Sequence, residues 1–219
     1  MEVHTHNLSN AGMPGYKRLQ VSSMAFSEEL GRQVGDLEKD STTLSVNHTQ
    51  GALRATGRSL DFAIEGKGFF VVADGPQEYL TRNGSFRVSS DGRVVNTLGM
   101  PVQTVSGDLQ IPSGVSTEQL EVDQNFNVRV DGQVIGTLRI DAVESPTNLE
   151  QVGTTLFINS SGQTVDSESK VINGHLEQSN STIFEEMVGM MTTLRNYEAC
   201  QKMLRTVDEA DEKMMNKLG

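Results

Sequence analysis

The sequence predicts an α+β fold, in which a mainly β central domain of short antiparallel strands and hairpins lies between two helical segments. Short apolar runs separated by turn dipeptides fill the stretch from Leu60 to about Val171, a pattern typical of all-β domains. Apolar residues recur at spacings of three and four beyond Gly174, which indicates a long helix. A shorter helical segment before Gly12 completes the prediction.

Length and composition restrict the class of protein. The 219 residues suffice for one or two domains whose core needs neither disulfides nor metal. The 21 glycines exceed the usual share of about 7% and, with 5% aromatic residues, indicate many turns and a modest aliphatic core. The formal net charge of −11 disfavours nonspecific binding to nucleic acid or anionic lipid. The single cysteine, Cys200, excludes an intrachain disulfide and a multi-cysteine zinc site.

The first residues and the hydropathy pattern bear on localisation. Residues 1–6 carry an acid and no apolar run, so the sequence predicts no Sec-type signal peptide. No apolar stretch approaches the roughly 18 residues that a membrane span needs. We therefore expect no membrane insertion and no cleaved signal, and a cytoplasmic location unless the chain leaves the cell by a route without such a signal.

The N-terminal part divides into a helical segment, residues 1–37, and an extended linker, residues 38–59. Gly12 and Pro14 predict the end of a first helix, because proline disfavours helical backbone in the residue before it. From Tyr16 onwards the spacing of apolar residues is weakly helical again. The linker contains the polar tract EKDSTTLSVNHTQ, which predicts exposed and extended chain.

The central β-rich domain covers residues 60–173. Asp-Gly dipeptides at positions 91–92 and 131–132 predict two hairpins, because this dipeptide readily supplies the positive φ angles of a type I′ turn. Ser161-Gly162 predicts a third, weaker hairpin. The run from Phe69 to Val72 predicts a central strand that is buried on both faces.

The C-terminal segment, residues 174–219, is predicted as one long helix that pairs with the N-terminal segment. Ser181 or Asn180 can cap it, and Glu185 and Glu186 lie in the first turns, where the helix dipole favours acids. At about 1.5 Å per residue the helix extends roughly 55 Å, far longer than a small β-domain needs. We therefore expect its apolar stripe to pack on a partner. The stripe follows the period of a coiled-coil seam and comprises Ile183, Met187, Met190, Leu194, Tyr197, Cys200, Leu204, Val207, Met214 and Leu218.

No pattern in the sequence predicts an active site, a cofactor or a metal ion. His4 and His6 form a pair without a third clustered ligand. Gly-Lys-Gly at positions 66–68 precedes a strand and lacks the Ser or Thr that ends a phosphate loop. Solvated turn residues are favoured over an acid–base pair for the acids around one strand pair, Asp61, Glu65, Asp74 and Glu78. For Arg82 and Asn83, an Asn-Gly turn with an internal or intersubunit ion pair is favoured over a binding site.

Several motifs resemble those of the bacterial flagellar basal-body rod and hook proteins. NLSNAGMPGYKR, residues 7–18, is similar to the family's N-terminal signature, in which Asn-Leu-Ala-Asn is followed by Thr-Pro-Gly-Tyr or Phe-Lys. Ser9 and Met13 depart from that signature, and the matching residues are Asn7, Leu8, Asn10, Pro14, Gly15, Tyr16 and Lys17.

The resemblance covers nearly the whole chain, with the motifs in the same order. LDFAIEGKGFFVV and YLTRNGSFRVSSDGRVVNTLGMPVQ resemble the family's central β-domain. LEQSN and LRNYEACQKML resemble its C-terminal signature, although Ser181 and Cys200 are not the commonest choices there. Relatives usually carry more helix before the first motif, whereas six residues precede Asn7 here, so the true start stays open.

The resemblance implies a structural subunit of the flagellar rod, crossing the periplasm, and not an enzyme. Such proteins are exported unfolded through the flagellar type III apparatus and polymerise into a hollow helical tube with their own copies and with other axial proteins. The terminal helices form the inner layer and the β-domain packs outside. The length favours a rod protein, of the proximal or the distal type, because hook proteins usually carry a larger outer domain.

The residues expected at assembly contacts come from both ends of the chain. They are Asn7, Leu8, Asn10, Pro14, Gly15 and Tyr16 in the first motif, and Ile183, Met187, Met190, Leu194, Tyr197, Leu204, Val207 and Met214 on the seam. An alternative keeps the same seam but closes it into a coiled-coil oligomer, in which the β-domain serves as a binding module. A β-rich hydrolase is a third possibility, for which the sequence displays no catalytic pair.

Overall fold

A computed structural model of the chain describes residues 1–22, 43–112, 115, 120–143, 146, 149–160, 162, 164–165 and 169–218. Within these residues the chain is mainly β with a helix at each end, as the sequence predicts. The helices are α1 (Glu2–Asn10) and α2 (Ile183–Leu218). The strands are β1 (Leu19–Ser22), β2 (Thr43–Val46), β3 (Leu53–Ala55), β4 (Phe62–Glu65), β5 (Phe69–Asp74), β6 (Gln77–Thr81), β7 (Arg87–Val88), β8 (Val94–Val95), β9 (Gln103–Thr104), β10 (Gly107–Asp108), β11 (Leu120–Val122), β12 (Asn127–Val130), β13 (Gln133–Thr137), β14 (Ile140–Asp141), β15 (Leu149–Val152), β16 (Leu156–Asn159), β17 (Lys170–Asn173) and β18 (His175–Glu177).

The N-terminal segment begins as predicted and then differs. α1 ends at Asn10, and residues 11–15 form the turn that Gly12 and Pro14 predict. The helical spacing from Tyr16 is a wrong prediction at Leu19–Ser22, because β1 pairs there with β2 in an antiparallel ribbon. The ladder to a distant segment satisfies backbone groups that a helix would otherwise pair locally. The rest of the predicted helical stretch, up to Leu37, lies outside the described residues.

The described part of the predicted linker, residues 43–59, is extended but takes part in two ladders. β2 pairs with β1, and β3 pairs with β18, which leads towards the C-terminal helix. Two-stranded ribbons keep an exposed face, so polar residues suit them as well as apolar ones. The polar composition predicted the extended backbone and gave no sign of the partners.

A five-stranded antiparallel sheet, in the order β14-β5-β6-β16-β15, forms the middle of the β-domain. β5 is paired on both sides and is buried from Phe69 to Ala73, which confirms the strand predicted at Phe69–Val72. Its side chains alternate between two cores: Phe70 and Val72 belong to the larger cluster, and Phe69 and Val71 to a smaller one with Phe157. This alternation is the two-residue period of a strand.

The two Asp-Gly hairpins are confirmed. β12 and β13 pair around Asp131 and Gly132, whose φ angles of 50° and 78° are the positive values that a type I′ turn requires. β7 and β8 also pair, but in that hairpin only Gly92 has a positive φ, of 81°, and the loop is longer than two residues, so its turn is not of type I′. Ser161, in the weaker hairpin predicted at Ser161-Gly162, lies outside the described residues. In the described chain on either side of it, β16 pairs with β6 and β15, and Val165 bridges Ala142.

A long C-terminal helix is confirmed from Ile183, with 36 residues in α2, but the segment predicted as helical from residue 174 begins with β18 (His175–Glu177), whose backbone pairs with β3 instead. Its cap differs from the prediction: the hydroxyl of Thr182 accepts a hydrogen bond from the N–H of Glu185 at 3.3 Å. Ser181 and Asn180 are instead engaged with the rest of the fold, as described below. Neither helix in the described part of the chain combines the length and the apolar character that crossing a membrane requires.

Candidate functional site

The residues of the sequence signatures converge where both helices meet the β-domain. Most of them are buried there, although they are polar or charged. We call this cluster the junction, and it comprises His4, Asn7, Tyr16, Lys17, Arg18, Arg82, Glu177, Asn180, Ser181 and Glu186.

Asn7 ties α1 to the first strand. Its side-chain amide is fully buried and pairs with both backbone groups of Leu19: Nδ2 donates to the carbonyl oxygen at 2.8 Å, and Oδ1 accepts from the N–H at 2.9 Å. The amide thus imitates a neighbouring peptide group at the start of β1. Since Asn7 Oδ1 also accepts from the Tyr16 hydroxyl at 2.8 Å, the amide has little freedom to rotate.

Tyr16 closes the N-terminal turn back onto α1. Its side chain is fully buried, and His6 Nδ1 lies 2.9 Å from its hydroxyl oxygen. Burial raises the pKa of Tyr16 to about 12, with a further contribution from the negative charge of Glu186, while a bond with the backbone of Leu19 acts in the opposite direction. The hydroxyl therefore remains a donor at neutral pH.

Asn180 makes the corresponding tie at the other end of the chain. Its Oδ1 accepts from the N–H of Arg18 at 2.7 Å, and its Nδ2 donates to the carbonyl oxygens of Asn47 at 2.7 Å and Thr49 at 3.0 Å. Asn180, three residues before α2, therefore links the start of β1 to the chain just after β2. Asn7 within α1 and Asn180 before α2 thus hold the same two-stranded ribbon.

Glu177 is the first of two buried carboxylates in the junction. It is 1% exposed and accepts from Lys17 Nζ at 2.5 Å, from Arg82 Nη1 at 3.1 Å and from the N–H of Gly51 at 2.9 Å. Desolvation lowers the pKa of Lys17 and of Arg82 below their ordinary values, and the carboxylate of Glu177 partly offsets that shift in both. One acid thus holds three segments that lie far apart in the chain.

Glu186 is the second buried carboxylate, and it lies in the first turn of α2. It is fully buried and contacts His4 Nδ1 at 2.6 Å, Arg18 Nε at 2.6 Å and the hydroxyl of Ser181 at 3.0 Å. Desolvation acts to raise the pKa of Glu186, but the bonds from His4 and Ser181 and the charge of Arg18 together bring it below its ordinary value. Its role is therefore an ionic anchor for α1 and β1, beyond the dipole effect that the sequence suggested.

α1 runs antiparallel to α2 and packs on one stripe of it. His4 contacts Glu186 and Gly189, whereas Met1 and Val3 line a groove with Thr193, farther along α2. A Cβ on Gly189 would lie 2.5 Å from Cε1 of His4, so only glycine admits the ring at this distance. The stripe of α2 that receives α1 is therefore small and polar, and it is not the predicted apolar seam.

Most of the predicted seam is exposed to solvent. Met190 is half-buried, and the other seam residues with described side chains are Ile183, Met187, Leu194, Tyr197, Cys200, Leu204 and Val207, all of them exposed. Three further apolar side chains of α2 that are not part of the predicted seam are also exposed: Phe184, which is 77% exposed, Val188 and Met191. The side chains of Met214 and Leu218 lie outside the described residues.

The predicted assembly residues therefore fall into two separate sets. In the first motif Asn7, Gly15 and Tyr16 are buried in or against the junction, and Leu8, Asn10 and Pro14 are half-buried. Asn10 Nδ2 donates to the carbonyl oxygen of His6, one turn earlier in α1, at 2.8 Å. The first set joins parts of one chain, whereas the second lies on the open surface of α2.

The other candidates from the sequence resolve into structural contacts. His4 and His6 point to different partners, Glu186 and Tyr16. Arg82 forms an internal ion pair with Glu177, and its Nη2 donates to the carbonyl oxygen of Gly66 at 2.7 Å. The acids Asp61 and Glu78 pair with different arginines, Arg58 and Arg139.

Sequence reasoning missed the charged core of the junction. Arg18, Glu177, Asn180 and Glu186 lie within or beside the quoted motifs, but a buried ion pair leaves no local pattern in a sequence. One signal was available: Glu177 and Glu186 lie near the start of the second helix, and the basic residues Lys17 and Arg18 end the first motif. The ion pairs and hydrogen bonds of the junction hold the two helices at fixed positions on the β-domain.

Parts of the chain match two known protein families. Residues 63–136 match the flagellar hook protein FlgE/F/G D1 domain, and residues 172–218 match the flagellar basal body rod FlgEFG protein C-terminal domain. The chain is 30% identical to the flagellar basal-body rod protein FlgG of Buchnera aphidicola subsp. Acyrthosiphon pisum over 244 aligned residues, covering 98% of this chain and 92% of that protein. It is 25% identical to FlgG of Bacillus subtilis, covering 99% of this chain and 92% of the relative.

The hook protein shares a smaller part of its length with this chain. The flagellar hook protein FlgE of Treponema pallidum is 31% identical over 158 residues, which are 63% of this chain but only 34% of the hook protein. The rod proteins match over nearly their whole length instead. The chain therefore belongs to the flagellar basal-body rod protein family, whose members are structural components of the basal body.

Proposed function

We propose that this rod subunit is exported unfolded through the flagellar type III apparatus and polymerises through its terminal helices into a hollow helical axial tube. Its partners are further copies of the chain, the neighbouring axial proteins of the rod and hook, and the export apparatus. The tube crosses the periplasm, with α1 and α2 in the inner layer and the β-domain outside. Both the proximal and the distal rod are compatible with this proposal.

The observation that carries the proposal is the open apolar surface of α2. Ile183, Leu194 and Tyr197 are 57%, 42% and 62% exposed, although all three are large and apolar or aromatic. Burying such surface is worth about 25 cal/mol for each Å² removed from water, so a helix that carries this much is stabilised by a partner. The β-domain does not cover it.

Assembly and folding are coupled in this proposal. Most of the stability of a helix in a protein comes from packing of its apolar face rather than from helix propensity. α2 is 36 residues long, and most of its described apolar side chains between Ile183 and Val207 are exposed. Neighbouring copies supply the missing cover, and a head-to-tail contact that does not close then generates a tube.

The assembly test places a charge on the seam. Leu194→Asp and Tyr197→Asp are each expected to abolish incorporation into the rod and motility, because a carboxylate cannot be buried unpaired between apolar side chains. Ala199→Asp is the matched control, since Ala199 is exposed and lies about 140–160° around the helix from Leu194 and Tyr197. Circular dichroism of the purified variants should show an unchanged β-domain. Normal motility with Leu194→Asp would contradict the proposal.

Limited proteolysis separates the tube from a closed coiled coil. A rod subunit is expected to be mostly monomeric in dilute solution, with α2 cleaved readily and the β-domain resistant. A closed coiled coil would give a discrete, helix-rich oligomer with a resistant α2. Mass spectrometry of the chain recovered from isolated rods tests export without a cleaved signal, because an unprocessed N-terminus is then expected.

A further inference from the structure

The chain contains two Asn-Gly dipeptides, at positions 83–84 and 173–174. Asparagine before glycine is prone to deamidation, because glycine has no Cβ to hinder the approach of its main-chain nitrogen to the side-chain carbonyl carbon. In this reaction the nitrogen forms a bond to Cγ, the side-chain amide leaves as ammonia, and water then opens the resulting succinimide ring to aspartate or isoaspartate. The reaction needs only water, so the local structure decides whether it occurs.

At Asn173 the fold withholds both reacting groups. Asn173 ends β17, and its backbone pairs with Phe62 in β4. The nitrogen of Gly174 donates its hydrogen to the carbonyl oxygen of Asp61 at 2.8 Å, so it keeps its proton and is not available as the nucleophile. The side chain is fixed as well, because Asn173 Nδ2 donates to the carbonyl oxygen of Leu120 at 2.6 Å. The folded chain is therefore protected from deamidation at this site.

Deamidation of Asn173 would remove a contact that the fold uses. Leu120 is 1% exposed, and its carbonyl oxygen accepts from Nδ2, a donor that a carboxylate lacks. Oδ1 of Asn173 is buried and has no hydrogen-bond partner among the described residues, so the new negative charge would be shared with an oxygen that water does not reach. Burying an unpaired charge is costly. The aspartate form therefore disfavours the packing of β17 on β11.

The other asparagine, Asn83, makes bonds that aspartate also makes. Its Oδ1 accepts from the N–H of Ser85 at 3.1 Å, and its own N–H donates to the hydroxyl of Thr81 at 3.0 Å. A carboxylate accepts the first bond as well as an amide does, and the second uses only the main chain of Asn83. Aspartate at position 83 keeps both contacts, whereas aspartate at position 173 loses the one to Leu120.

We propose that Asn173 is a deamidation site of the unfolded chain, which folding closes and whose aspartate product disfavours the folded β-domain. A chain that stays unfolded thus loses its ability to pack β17 in place. This inference goes beyond the proposed function and does not depend on polymerisation. For a subunit that is exported unfolded, the reaction limits the time between synthesis and folding.

The first experiment measures the reaction. The purified chain is incubated in mildly alkaline buffer with and without urea, and mass spectrometry follows the peptide that contains residue 173. Under the proposal only unfolded molecules react, and a stable domain keeps less than about one molecule in a thousand unfolded. Asn173 should therefore deamidate on the order of a thousand times faster in urea. Gly174→Ala is the matched control in urea, because its added Cβ should slow the reaction. Equal rates with and without urea, or no reaction in urea, would overturn the proposal.

The second experiment measures the consequence. Asn173→Asp should lower the urea midpoint of unfolding, and Asn83→Asp, the matched control, should leave it close to that of the unaltered chain. Asn173→Ala removes the donor without adding a charge, so its midpoint should lie between the two. An Asn173→Asp chain that does not fold, beside an Asn83→Asp chain that does, also supports the proposal. Equal midpoints for the two aspartate variants would overturn it. Neither experiment measures assembly, so a failure here leaves the proposed function standing.

Discussion

The ammonium group of Lys17 lies 2.5 Å from the carboxylate of Glu177, although 160 positions separate the two residues in the chain. Both side chains are almost fully buried, and Arg82 approaches the same carboxylate at 3.1 Å. Lys17 follows the turn after α1, and Glu177 ends the strand that leads to α2. The ion pair therefore fixes the points at which both helices leave the β-domain.

Removing the charge of Glu177 tests this role. Glu177→Gln keeps the shape of the side chain but leaves Lys17 and Arg82 buried without a counter-charge. Breaking a buried pair in this way costs about 3–5 kcal/mol, so the free energy of unfolding measured in urea should fall by that amount. Glu150→Gln, which neutralises an exposed carboxylate, should leave it unchanged. A loss as small as that of the control would mean that the ion pair does not fix the junction.

Two neighbouring glycines provide a matched test of the N-terminal turn. A Cβ on Gly15, whose φ is +70°, would lie 2.3 Å from the backbone nitrogen of Asn83, whereas one on Gly12 would meet nothing within 4 Å. Gly15→Ala should therefore lower the free energy of unfolding by at least the roughly 1–3 kcal/mol that a strained backbone costs. Gly12→Ala should be neutral or slightly stabilising, because it restricts the unfolded chain. Denaturant titration of both variants checks the difference, and equal effects would contradict the close approach.

Features set by neighbouring residues could be predicted from the sequence. The Asp131-Gly132 turn follows from the conformations these two residues allow, and the burial of Phe69–Val72 follows from an uninterrupted apolar run. The length of α2 follows from its apolar period. In each case the determining contacts lie within a few residues of the feature itself.

Features set by distant partners could not be predicted. β1 occupies a stretch with helical spacing because β2 and the amide of Asn7 pair with its backbone. The charges of Lys17, Arg82 and Glu177 have the ordinary appearance of surface residues until the fold brings them together. The exposed apolar surface of α2 was partly missed for another reason: Phe184 lies off the coiled-coil period that predicted the seam.

His48, which is buried near the junction residues Lys17 and Arg82, makes the stability of the fold depend on pH. Burial, with the charges of Lys17 and Arg82 acting in the same direction, lowers the pKa of His48 from 6.5 to about 4. Both ring nitrogens are buried and have no hydrogen-bond partner among the described residues, and the ring packs against Phe69 and Phe157.

The sign of this dependence follows from the two pKa values. The unfolded chain binds a proton at His48 near pH 6.5 and the folded chain only near pH 4, so the neutral ring contributes stability above pH 6.5 that is lost as the pH falls towards 4. His48→Phe should remove this part of the pH dependence. Thermal unfolding of both proteins between pH 4 and 8 gives the difference, and parallel profiles would show that His48 does not titrate with folding.

Gly189 tests the seat of α1 on α2. Gly189→Ala should displace the His4 ring, since the added Cβ would lie 2.5 Å from Cε1, and the contact of His4 with Glu186 should be lost with it. Hydrogen exchange of the α1 amides should then become faster. In a His4→Ala background the same substitution meets no ring, and it should stabilise α2 by up to about 1 kcal/mol because alanine is the better helix former. The pair of backgrounds separates loss of docking from a change in helix propensity. Unchanged exchange of α1 after Gly189→Ala would show that the ring accommodates the methyl group and that glycine is not required at this contact.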